Sequence, residues 1–71
     1  MADPMVRVLG TVHDTDGAPV HVGVDYDTVS IITAGKSCFT VGTAEDFARL
    51  FVAAWAQAGA QRALMEEADR A

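Results

Sequence analysis

The chain holds a single cysteine, Cys38, so no disulfide can close within it. Aromatic residues are few, five in all, and alanine and valine supply most of the 51% apolar fraction. The core they can build is thin, because each small side chain removes little area from water. Long hydrophobic runs are also missing. The most apolar stretch, Leu50 to Ala56, is seven residues, far below the roughly 18 that suggest a membrane span. Met1 to Gly10 has no charged segment leading into an apolar one, so no secretory signal is read there and the cytoplasm is the expected compartment. Basic residues are scarce too. Five stand against ten acids for a net charge of -5, and such a surface repels phosphate backbones and anionic membranes on average. Nucleic acid is therefore disfavoured as a partner, and no membrane partner is expected. One lysine and no asparagine beside abundant Ala, Val, Gly and Asp point to a high-GC bacterial or phage genome.

Seventy-one residues make one domain, 1–71. A chain of this size buries only roughly 60% of the surface it exposes when unfolded. Stabilisation from outside is the usual remedy, and without disulfides it has to come from a metal or a second subunit.

Valines on alternate positions organise the first half. Val6, Val8 and Val12 precede the turn formers Asp14 to Pro19; Val20, Val22 and Val24 follow; Val29 and Ile31 resume after Tyr26-Asp27. A two-residue loop at Tyr26-Asp27 sets Val24 opposite Val29 and Val22 opposite Ile31. A three-residue loop at Ala34 to Lys36 would set Ile31 opposite Phe39 and Val29 opposite Val41, giving a fourth strand. Gly42-Thr43 ends this pattern. Thr43 as N-cap, with Glu45 and Asp46 in the first turn, predicts a helix from Ala44. Phe47, Leu50, Phe51, Ala54 and Ala58 form its apolar stripe. Beyond Gly59, residues 60–71 read as a kinked extension or a frayed tail. The fold expected is α+β: a three- or four-stranded antiparallel β-meander, then one long C-terminal helix packed on one sheet face.

Fragments of known chemistry occur without their context. Gly35-Lys36-Ser37 resembles the end of a phosphate-binding loop, but Ser30 stands where the first glycine belongs and a strand pattern follows. Asp14-Thr15-Asp16-Gly17 imitates a calcium loop, but Val12 stands at the first ligand position and Gly23 at the last; a plain Asp-Gly turn is the reading. His13 and His21 flank that turn and could face each other near Asp14 and Asp16, though on the solvated side of the sheet. Cys38 has no nearby base to make it a nucleophile. The carboxylate pairs Asp25/Asp27 and Glu66/Glu67 lack an apolar pocket to separate their acidities. No catalytic residue, metal ligand or cofactor is expected.

The apolar surface is in excess. Trp55 lies beside Phe51 at the edge of the helix stripe, and Val52 widens it, while strand parity points Leu9 and Ile32 away from the valine face. Trp55, Phe51, Val52, Leu9 and Ile32 are the candidate partner-interface residues, since aromatic residues concentrate at interface centres. The functional expectation is a small acidic non-catalytic protein-interaction module, a homodimeric regulatory or accessory factor with an unknown protein partner. Two other readings compete. One is an acidic nucleic-acid mimic or inhibitor. The other is a nucleic-acid-binding regulator that uses the sheet, with Arg7, Lys36 and Arg49 beside Tyr26 or His21.

Overall fold

A computed structural model describes residues 6–70. Three strands, β1 (Arg7–His13), β2 (Pro19–Asp25) and β3 (Thr28–Ile32), precede a single helix, α1 (Val41–Arg70). The strands form an antiparallel meander in the order β1-β2-β3, and α1 covers one face of it. This is the α+β arrangement expected, with three strands.

The β2–β3 hairpin adopts the register that the valines dictate: Val24 pairs with Val29 and Val22 with Ile31. Tyr26 opens the connecting turn with φ 53°, a left-handed conformation that costs a residue with a Cβ roughly 1–2 kcal/mol. The turn accepts this strain because slipping the register by one residue would turn every valine of β2 to the wrong face. At the other end of β2, the Asp14 carboxylate accepts hydrogen bonds from the amides of Asp16 (3.0 Å) and Ala18 (2.8 Å), and Gly17 takes φ 83°. Asp14 to Gly17 is thus the Asp-Gly turn that its composition suggests.

In β1 the register shifts between Val8, paired with Gly23, and Gly10, paired with Val22. Leu9 is the extra residue of a β-bulge. The bulge reverses strand parity: Val12 is buried under the helix, whereas Val8 is exposed on the outer face. Val6, Val8 and Val12 therefore do not share one face. Leu9, expected on the outer face, packs instead against the cluster of Val22, Val24, Ala54 and Ala58.

The fourth strand does not form. After β3 the chain crosses to the β1–β2 turn, where the Thr15 amide donates to the Cys38 carbonyl at 2.9 Å. Phe39 is drawn onto Phe47, with ring centroids 5.5 Å apart, instead of pairing with Ile31. Val41, expected opposite Val29, is the first residue of α1 and is exposed. The helix accordingly starts three residues before Ala44. Its cap is Thr40, whose Oγ1 accepts from the Thr43 amide at 3.3 Å, while the Ala44 amide donates to the Thr40 carbonyl at 2.8 Å.

Packing centres on Val22 and Val24 below and Ala54 and Ala58 above, flanked by Leu9, Val29, Phe47 and Leu50. Small residues let backbones approach: a methyl group placed on Gly10 would lie 2.6 Å from Leu50 Cδ2. The helix passes through Gly59 and continues to Arg70. Its 30 residues span about 45 Å, whereas a seven-residue strand spans about 23 Å. The helix is thus about twice as long as the strands it covers, and its last turns run beyond the sheet. The radius of gyration, 14.0 Å, exceeds the roughly 11 Å of a compact chain of this length.

Candidate interaction surface

Two contacts orient α1 over the sheet. Leu50 sits on Gly10, and the Arg7 guanidinium hydrogen-bonds the side-chain oxygen of Gln57. Both partners belong to β1, so the side of α1 carrying Leu50 and Gln57 faces that strand. Relative to Ala54, Phe51 and Trp55 lie about 60° and 100° around the helix in the opposite sense. They consequently project on the side of α1 away from β1, toward β3, and Phe51 lies 6.3 Å from Phe47, which stacks on Phe39.

On that side the sheet runs out before the apolar surface does. Phe51 is 42% exposed, Val52 56% and Trp55 66%. Ile31 and Ile32 at the edge strand are exposed by 40% and 42%. Of the five residues expected at an interface, Phe51 and Trp55 share the β3 flank of α1, whereas Val52, about 160° from Ala54, lies on the side of the helix turned away from the sheet. Ile32 lies on the outer face of the adjacent strand, opposite His21, as strand parity requires. Leu9 is turned toward the core and is not part of this surface. Ile31 belongs here and was not foreseen, because the expected fourth strand would have covered it. Leu64 and Met65 add exposed apolar area on the overhang.

The other candidates are spread apart. His13 pairs with Pro19 and His21 with Thr11, so the two imidazoles do not face each other; His21 Nδ1 shares a 2.7 Å hydrogen bond with Thr11 Oγ1. Among the described residues no three His, Cys, Asp or Glu side chains gather as metal ligands would. Ser37 shares a 2.8 Å hydrogen bond with Thr33, and α1 starts four residues after Ser37, leaving no helix N-terminus directly beyond the Gly-Lys-Ser segment. Cys38 is exposed. Asp25 Oδ1 is buried without a hydrogen-bond partner among the described residues, and Asp27 is exposed. Arg49 pairs with Asp46 at 3.2 Å on the helix, whereas Arg7 is held at the sheet by Gln57 and Lys36 lies in the loop after β3. A cleft of about 210 Å³ opens between Arg7, Val24, Tyr26 and Gln61. Among the described residues no helix is long and apolar enough to cross a membrane. No family model matches this chain, and neither a curated protein nor a solved structure does.

Proposed function

We propose that the chain is a small acidic non-catalytic interaction module that self-associates, acting as a homodimeric regulatory or accessory factor. The observation that carries this reading is the exposed pair Phe51 and Trp55 on the flank of α1 turned toward the edge strand β3, with Val52 exposed next to Trp55 on the outward side of the helix. Apolar side chains of this size, contiguous and led by a tryptophan, mark a surface that another protein covers.

Nothing favours a nucleic-acid mimic equally. Asp14 and Asp16 sit at one end of β2 and Asp25 and Asp27 at the other, so the acids do not form a row.

Sedimentation equilibrium at micromolar concentration tests the reading. The expected result is a species of twice the 7.5 kDa protomer mass. A stable monomer across the concentration range would overturn it.

A further inference from the structure

We infer that two copies of the chain join edge to edge through β3, antiparallel about Ser30, so that their sheets become one and Phe51 of each helix packs against Trp55 of the partner subunit. The inference rests on the self-association reading above and specifies its surface and geometry.

The two edges of the sheet differ. At β1 the bulge at Leu9 interrupts the ladder and Arg7 puts a charge on the strand, devices that discourage strand pairing. β3 has neither. Its sequence, Thr-Val-Ser-Ile-Ile, is free of charge, proline and glycine, its register is unbroken, and among the described residues no fourth strand pairs with it. An unprotected edge of β-branched residues is a template for another strand.

Its hydrogen-bonding groups suit its own copy. Asp25 and Thr28 close the two-residue turn, and bonded pairs alternate from there: Asp25–Thr28, Gly23–Ser30, His21–Ile32. Val29 and Ile31 therefore turn their N–H and C=O groups outward. A two-fold axis at Ser30 places Val29 opposite the partner's Ile31 and each bonds the other. Both residues lie on the helix-covered face, so apolar meets apolar, while Ser30 meets the partner's Ser30 outside.

The helix independently gives the same centre. Leu50 lies over Gly10, whose rung continues through Val22 to Ile31; Gln57 lies over Arg7, whose rung continues through Val24 to Val29. The rung of Ser30 falls between them, and so do the helix turns bearing Phe51 and Trp55. The two-fold axis that joins the strands thus sets Phe51 facing the partner's Trp55. An unrelated strand could satisfy the edge but would leave this symmetry unused. Charge agrees as well. In a chain of net charge -5, β3 is an uncharged contact, and the antiparallel pair sets Asp27 of each copy opposite the neutral Thr33 of the other, so no like charges meet along the strand.

Cysteine cross-linking tests the geometry. In a Cys38→Ser background, Ser30→Cys, Thr11→Cys and Val52→Cys are oxidised at micromolar protein, with the oligomeric state of each measured beforehand and folding checked by circular dichroism. Ser30 pairs with its copy at a non-hydrogen-bonded site, where Cα atoms approach to about 4.5 Å, within disulfide reach. The expected result is dimers in which Ser30→Cys cross-links at least 10-fold faster than the other two. Dimers that cross-link through Val52→Cys and not Ser30→Cys overturn the edge pairing and leave self-association standing, whereas monomers overturn both. Ile31→Lys gives a readout without cysteine: it should weaken association at least 100-fold with an unchanged far-ultraviolet spectrum, and undiminished association would count against the edge.

Discussion

Residues 41–58 and 59–70 form one uninterrupted helix, yet the two halves are helical for different reasons. The first half buries Ala54 and Ala58 against the valines and presses Leu50 onto Gly10. Tertiary packing holds it, and a β-branched or aromatic residue there, such as Val52 or Phe51, is tolerated despite middling helix propensity. The second half touches no strand with a buried side chain; residues 59–70 are all exposed. Its support is local: Ala, Leu, Met, Gln and Glu, an Arg62–Glu66 pair at 3.1 Å, and Arg70 in the last turn. That pair is in the weaker orientation, arginine before glutamate, and is worth a few tenths of a kcal/mol. Identical substitutions should therefore have unequal effects in the two halves.

The largest contrast is expected from enlarging an alanine. Ala54→Leu forces three further carbons between α1 and Val22, and overpacking of this kind costs about 3 kcal/mol. Ala63→Leu, on the overhang, should change stability by no more than about 0.5 kcal/mol. Urea unfolding of both proteins measures the difference; equal midpoints would mean that Ala54 is not at the helix–sheet contact. Phe51→Ala comes next. A fully buried phenylalanine costs about 3–5 kcal/mol to truncate, but Phe51 is 42% exposed in the single chain, so about 2 kcal/mol is expected at dilutions where the protein is monomeric. Trp55→Ala should be smaller still for the isolated fold, under about 1 kcal/mol. Its effect should appear in association instead: the mutant should be monomeric at concentrations where the parent is dimeric. A Trp55→Ala protein that stays fully associated would remove Trp55 from the interface.

Much of the fold was legible because two periodicities are clear. Alternation with a two-residue loop defines the β2–β3 register, and the stripe of Phe47, Leu50, Ala54 and Ala58 defines the packed side of α1. Three features were hidden. The bulge at Leu9 leaves Val8 and Val12 an even number apart, which looks like unbroken alternation; only pairing with Gly23 and Val22 reveals the extra residue. Phe39 and Val41 alternate as a strand would, but Thr40 between them caps a helix, and the glycine at 42 conceals that start by its low propensity. Thr40, three residues before the amide it caps at Thr43, was the available signal. The third feature follows from the second. A fourth strand would have closed the edge of β3, so that edge is seen to be open only because residues 33–40 form a loop.

The smallest effect is expected from removing the overhang. Deleting residues 63–71 takes away Leu64 and Met65 and the Arg62–Glu66 pair, but no buried side chain among the described residues. The unfolding free energy should fall by no more than about 0.5 kcal/mol, while the helical circular dichroism signal decreases with the turns lost. Association discriminates more sharply. If copies meet through β3, with Phe51 and Trp55 near the two-fold axis, the overhangs point away from that axis at opposite ends of the assembly, and the truncated protein remains a dimer. If the exposed stripe of Leu64 and Met65 were itself the joint, as in a pair of helices zipped along their second halves, the truncated protein would be monomeric at every accessible concentration. Sedimentation equilibrium on the truncated chain separates these outcomes. Retained dimers would leave the overhang with no part in self-association, and its apolar stripe free to engage a different protein.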